Sequence, residues 1–363
     1  MERSSISGSQ PSSERARKPQ RRPLLTGATA VALSISSVTG QPACAGLEND
    51  VVFSEYTELA SLAELVHRLY SPLSALHVEQ EARPGSKLRG QTLDLTQEHY
   101  SIYVPDRHPS PAGAYSLLVF VPPWPRAEVP RQWVRVLDRH NMILVTAENS
   151  GNEAPTVKRR EPLALLAAYN VMKQYNVDPQ RVYVGGFSGG ARTALRLALG
   201  YPDVFRGAWL NAGSDPIGTA DVPLPPADLF KRFQQSSRLV YLTGERDEEN
   251  LAGDMHSRRS LEKWCVFDVV TQTEPRVGHE LADAFSLGRS LDALLAAQQT
   301  RSDELDACRN RIDREIDTQL QQVESAVQHG ESTHAQDLLR KIDARFGGLA
   351  APRSVDLAKR HAM

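Results

Sequence analysis

Cysteine is scarce in this chain: Cys44, Cys265 and Cys308 are the only three in 363 residues. One internal disulfide is therefore the most it can form. An excess of either charge is also missing, with 42 Lys and Arg against 44 Asp and Glu and a formal net charge of −2. No global basic field points to nucleic acid, and no acidic tail points to disorder. The N-terminal apolar stretch, Leu24 to Val38, is diluted by Thr, Ser and Gly. It is shorter than the roughly 20 residues a bilayer span requires, so no membrane span is expected. No repeat of about 20–50 residues is visible, which argues against a solenoid. What is present is an apolar content of 40%, enough for one sizeable core with room for a small second module.

The N-terminus differs in texture from the rest of the chain. Residues 1–23 are rich in Ser, Pro and Arg; Arg21-Arg22 precedes the apolar stretch and Ala43-Cys44-Ala45 comes after it. This order fits an export signal cleaved after small residues, and the arginine pair resembles a twin-arginine signal. Removal of residues 1–45 is expected, giving an exported protein, periplasmic or secreted. Gln41 and Pro42 stand where a lipoprotein signal would carry small and aliphatic residues, which argues against lipidation of Cys44. In an oxidising compartment Cys265 and Cys308 could pair; two buried thiols are the alternative.

Residues 46–85 read as a helical lead-in, with Leu59, Leu62, Leu65, Val66 and Leu69 at helical spacing. Strands alternate with helices over residues 86–296. The expected strands are Leu88–Leu95, Tyr100–Val104, Ser116–Val121, Met142–Thr146, Arg181–Gly185, Ala208–Asn211, Leu239–Thr243 and Val266–Thr271. Continuous apolar runs such as Ser116–Val121 suit strands buried on both faces. Pro162 opens a helix where its missing N–H costs nothing, and Ala191–Leu199 forms another. The alternation predicts an α/β fold, a mostly parallel sheet with helices on both faces. The basic run Lys158-Arg159-Arg160 reads as a solvated loop. In residues 297–363 Leu305, Cys308, Ile312, Ile316, Leu320, Val323 and Val327 recur every three or four residues. Gly330 breaks that helix, and Leu338, Leu339, Ile342 and Phe346 mark a second. This C-terminal helical hairpin is expected to pack on the core; the alternatives are a homodimer seam or a cap over the site.

One motif carries chemistry. Gly186-Phe187-Ser188-Gly189-Gly190 is a G-x-S-x-G sequence between an expected strand and an expected helix. Such a turn projects a serine hydroxyl from a sharp bend, and the helix behind it aims its first amides at developing negative charge. A serine needs a base to take its proton, and the base needs a carboxylate to hold it. His279 is the candidate base, in the loop Val277-Gly278-His279-Glu280 after the last expected strand. His256, His329, His334 and His361 fall in helical stretches instead. The candidate acid is Asp247, in the turn after Leu239–Thr243; Asp215, after Ala208–Asn211, is the runner-up.

With these residues in view, a family likeness emerges. Val177-Asp178-Pro179, the run Arg181 to Gly190, Tyr103-Val104-Pro105 and the turn Thr243 to Asp247 resemble the polyhydroxybutyrate-depolymerase-like and feruloyl-esterase-like branch of the α/β-hydrolases. The resemblance covers about residues 100–290. It implies an α/β-hydrolase fold and hydrolysis of a small-molecule or polymeric ester through a Ser188-Asp247-His279 triad and an acyl-enzyme, with no metal or organic cofactor. The family usually carries a His-Gly-x-Gly-like turn after the third strand to donate an oxyanion N–H. This chain has Pro122-Pro123-Trp124-Pro125 there. Proline has no N–H, so Trp124 is the expected oxyanion donor beside Gly189. Two other functions fit the same residues: a serine peptidase or acyltransferase, and a non-catalytic binding protein on a hydrolase scaffold.

Overall fold

A computed structural model describes residues 45–81, 93–106, 114–297 and 302–360. Among these residues eight strands form one sheet: β1 (Gly46–Val52), β2 (His99–Val104), β3 (Tyr115–Val121), β4 (Met142–Ala147), β5 (Val177–Phe187), β6 (Gly207–Asn211), β7 (Arg238–Gly244) and β8 (Val269–Glu274). Their order across the sheet is β1-β2-β4-β3-β5-β6-β7-β8. β1 and β2 run antiparallel, β2 pairs antiparallel with β4, and the remaining pairs are parallel.

Parallel strands need crossovers, and helices supply them. In chain order the helices are α1 (Leu62–Leu69), α2 (Pro72–Glu81), α3 (Val134–His140), α4 (Glu161–Gln174), α5 (Gly189–Gly200), α6 (Ala227–Ser236), α7 (Glu248–Lys263), α8 (Ala284–Leu295), α9 (Ser302–Gln328), α10 (Ser332–Phe346) and α11 (Arg353–Arg360), of which α3 to α7 connect the parallel strands. The strands alternate their side chains between two cores. On one face Leu117, Val119, Val121 and Val184 meet α1, α4, α5, α6 and the C-terminal helices. On the other, Leu118, Phe120 and Trp209 meet α3 and α8. Both faces are apolar because both are covered, which is why these strands read as continuous hydrophobic runs. This is the α/β-hydrolase fold, with an antiparallel edge and a C-terminal helical extension.

Several expectations are corrected. The lead-in 46–85 does not begin as helix: Gly46–Val52 is an edge strand, its register set by β2 and broken by a bulge near Asp50. Leu-Glu-Asn-Asp carries little strand propensity, so pairing with a neighbour decides its state. The expected strand Leu88–Leu95 lies outside the described residues up to residue 92; beyond it, Leu95–Gln97 is a single 3₁₀ turn capped by Asp94. The last strand starts at Val269 rather than Val266, which is buried in the loop before it. The basic run is not a solvated loop. Arg159 forms a two-pronged contact with Glu98 at 2.9 and 2.6 Å, and Arg160 is 5% exposed. The stretch read as an export signal lies, apart from Ala45, outside the described residues.

Among the described residues the C-terminal extension has three helices rather than two. Leu305, Ile312, Ile316, Leu320 and Val323 of α9 are buried together with Leu339, Ile342 and Phe346 of α10, in continuity with the main core. The stripe that could have served as a dimer seam is thus used within the chain. Cys265, just after α7, and Cys308 on α9 form a disulfide, and Phe346 packs edge-on against Trp264 at 5.8 Å. No helix among the described residues is long and apolar enough to cross a membrane.

Candidate active site

Ser188 stands between β5 and α5 with φ 54° and ψ −122°. A non-glycine residue held there is strained, and such strain persists only where surrounding structure imposes it. The flanking glycine shows what does so: a Cβ on Gly190 would lie 1.9 Å from the Val121 carbonyl oxygen. The elbow therefore presses on the end of β3 at a distance that only glycine permits. The Ser188 amide donates to Asn211 on β6 at 2.9 Å, and its carbonyl accepts from the Ala191 amide at 3.0 Å.

The three residues expected to act together are together. His279 Nε2 is 3.0 Å from Ser188 Oγ, and its Nδ1 is 2.6 Å from Asp247 Oδ2. The Phe187 ring stacks on the imidazole at 4.8 Å, fixing its plane. Asp215 takes no part in this relay; it pairs with Arg192 at 3.2 Å. Burial pushes the Asp215 carboxyl up, against the pull of Arg192. Burial would also raise Asp247, but hydrogen bonds from Asn250 and His279 and the nearby imidazole outweigh it and hold that carboxyl below its usual range. Asp247 is thus kept ionised, as a group orienting an imidazole must be.

Two asparagines that sequence reasoning missed brace this relay. Asn250 Nδ2 donates to both Asp247 oxygens at 2.9 and 3.0 Å and lies 3.1 Å from His279 Nδ1. Its own oxygen accepts from Arg192. Asp247 caps α7, and Asn250 comes three residues later, so the D-x-x-N spacing was the available signal. Asn211, 1% exposed at the end of β6, accepts from the Ala282 amide at 2.9 Å and donates to the Leu242 carbonyl at 3.1 Å. The Trp133 indole N–H donates to the Ala282 carbonyl at 2.9 Å. The loop that carries His279 is therefore tied to β6, β7 and the segment before α3. It also lies against the turn that carries Asp247: the Arg246 amide donates to Val277, and a Cβ on Gly244 would sit 2.3 Å from the Gly278 carbonyl oxygen.

The proline turn Pro122–Pro125 packs beside the elbow, and its carbonyls are occupied from behind. The Asn152 amide donates to Pro123 at 2.9 Å, the Asn149 amide donates to Pro125 at 2.6 Å, and Arg160 donates to Pro122 at 3.1 Å. In a planar trans peptide the N–H points opposite to the preceding C=O. The Trp124 N–H therefore points away from Asn152, and it donates to nothing among the described residues. The Gly189 N–H opens α5, where no intrahelical acceptor exists. The Trp124 ring lies 6.3 Å from the Phe187 ring, next to the imidazole stack.

No family model and no curated protein matches the chain. Among solved structures it is similar to a puromycin-hydrolyzing peptidase of Mycobacterium tuberculosis, with 18% identity over 54% of this chain and 36% of that one, at a TM-score of 0.40. It is also similar to an S-formylglutathione hydrolase of Staphylococcus aureus, with 11% identity over 55% of this chain and 93% of that one, at 0.43. A candidate dipeptidyl aminopeptidase IV of Bacteroides ovatus gives 16% identity over 54% of this chain and 33% of that one, at 0.41. The chain spans about a third of the length of the two peptidases.

Proposed function

We propose that this chain is a serine hydrolase that cleaves carboxylic esters through an acyl-enzyme. The observation that carries the reading is the continuous relay from Ser188 Oγ through His279 to Asp247 at 3.0 and 2.6 Å. His279 takes the serine proton as Oγ attacks the acyl carbon, Asp247 steadies the imidazolium, and the same proton passes to the leaving alcohol. The tetrahedral oxyanion forms in front of the Trp124 and Gly189 amides, which have no protein acceptor among the described residues to give up. Water, activated by His279, then releases the acid and restores Ser188. A scaffold that only binds has no use for a strained serine aligned with an imidazole.

A fluorophosphonate probe should label the protein at Ser188, read by peptide mass spectrometry, and p-nitrophenyl acetate should be turned over. Ser188→Ala should lose both while keeping its circular dichroism spectrum, with the rate falling by about 10⁶-fold. Turnover that survives in that variant refutes the reading. Cleavage of amide substrates would mark a peptidase, and transfer of the acyl group to an added alcohol in place of water would mark an acyltransferase.

Export belongs to the same proposal. What supports it is the Arg21-Arg22 to Ala45 pattern, the start of β1 at Gly46, and a disulfide, a bond that persists mainly in oxidising compartments. Exported protein should have Gly46 as its first residue; full-length chain recovered only from cytoplasm contradicts this.

A further inference from the structure

We propose that Arg160 is a positioning residue that sets the oxyanion hole by clamping its two halves together. The proposal rests on the serine-hydrolase reading above. The Arg160 side chain is buried, and its guanidinium makes no close contact with a carboxylate among the described residues. It donates instead to three backbone carbonyls: Nε to Ser150 at 2.8 Å, Nη1 to Gly189 at 3.3 Å and Nη2 to Pro122 at 3.1 Å. The adjacent buried Glu161 offsets part of its charge but is itself paired with Arg196, so every hydrogen bond of the buried Arg160 cation goes to a neutral acceptor, which is costly. The cost is met here in the service of geometry, because the three carbonyls belong to three separate segments. Gly189 is itself one oxyanion donor. Pro122 opens the turn that carries the other, Trp124. Ser150 lies in the loop whose Asn149 and Asn152 amides hold the rest of that turn.

The prolines explain why a side chain is needed. Three of the four residues in this turn lack an N–H, so apart from the Trp124 amide kept for the oxyanion it offers its neighbours only carbonyls. The turn is therefore docked by donors outside it, one to each proline carbonyl, and Arg160 is the donor that also reaches the nucleophile elbow. A guanidinium is a flat fork with fixed N–H directions, so it fixes distance and angle together. Lysine keeps the charge but is a single point on a flexible stem and cannot span three carbonyls in fixed directions. Arg160 touches neither substrate nor Ser188 Oγ in this scheme; it holds the peptide just after the Gly189 amide and the peptide just before the one that carries the Trp124 amide, and so acts on each donor from the neighbouring peptide.

The test compares Arg160→Ala and Arg160→Lys with the wild type on p-nitrophenyl acetate. Turnover is expressed per Ser188 titrated by fluorophosphonate, so that unfolded protein is not counted. Both variants should lose about ten- to a hundred-fold in kcat per titrated site, part of what loss of a whole oxyanion donor costs. KM should change less than about threefold, because the donors act on the tetrahedral state. Millimolar guanidinium should restore kcat about tenfold in Arg160→Ala and leave Arg160→Lys and the wild type unchanged. Wild-type kcat per titrated site in either variant overturns the proposal. So does a deficit confined to fewer titratable sites, or folded Arg160→Ala that guanidinium does not rescue. If Arg160→Ala does not fold, the kcat per site of Arg160→Lys decides alone. A wild type that the probe does not label overturns the serine-hydrolase reading itself, and that failure is visible before any variant is made.

Discussion

Replacing Cys308 with alanine isolates what the disulfide contributes and shows whether the C-terminal helices serve the fold or the chemistry. Cys265 and Cys308 are separated by 43 residues. Closing a loop of that length removes about 13 cal/mol/K from the unfolded chain, or about 4 kcal/mol at 25 °C. Native packing changes little, because Cys265 remains in the core as a small buried hydrophobe and Cys308 is only partly buried. The extension stays docked through Leu305, Ile312, Ile316, Leu320 and Val323. Taking about 2.1 cal/mol/K per residue from Gly46 to Arg360 gives an unfolding entropy of roughly 0.7 kcal/mol/K, so Tm should fall by about 6 °C. The Ser188–His279–Asp247 relay sits in the turns after β5, β7 and β8, away from the bond, so kcat at 25 °C should stay within about twofold of wild type. Thermal melts followed by circular dichroism, with ester turnover measured on the same samples, test both halves. A Tm within about 1 °C of wild type would refute the loop-closure argument. Alkylation of both cysteines in unfolded, never-reduced protein would show that the bond is absent. A large loss of kcat at full folding would place the extension in the chemistry.

Asp247→Asn should cut kcat by about 10⁴-fold, since an imidazole without its carboxylate takes the wrong tautomer, whereas Asp215→Asn should cost less than about threefold; the reverse ranking would move the acid to the turn after β6. The Asp247 carboxyl is held below its usual range, so its contribution to stability is present above the ordinary carboxylate pKa and is lost as pH falls through the depressed one. Asn250→Ala removes two of the hydrogen bonds that hold it there. Its acid-unfolding midpoint, followed by circular dichroism between about pH 5 and 2, should therefore shift to higher pH, and an unchanged midpoint would show that Asn250 does not set the acidity of Asp247.

The α/β class was legible in the sequence because a sheet covered on both faces leaves continuous apolar strands, and the G-x-S-x-G turn leaves a signature tied to backbone sterics. Position after the expected strands then singled out His279 and Asp247, since the fold presents these two at successive strand ends. What the sequence could not decide were choices made between distant segments. β1 has a weakly strand-like composition and became a strand only because the edge of β2 was open to it. Cys265 and Cys308 could each have packed as a thiol; folding α9 onto the loop after α7 brought them to 5.9 Å between Cα atoms. Asn211 and Asn250 are ordinary polar residues in one dimension and acquire their roles from partners that lie up to 71 positions away. Arg160 looked like part of a solvated basic run, and it is buried because three backbone segments converge on it. Local pattern fixes which elements form, since periodicity and turn chemistry act over a few residues. Hydrogen bonds and burial between remote segments have no local trace, and only the packed chain decides them.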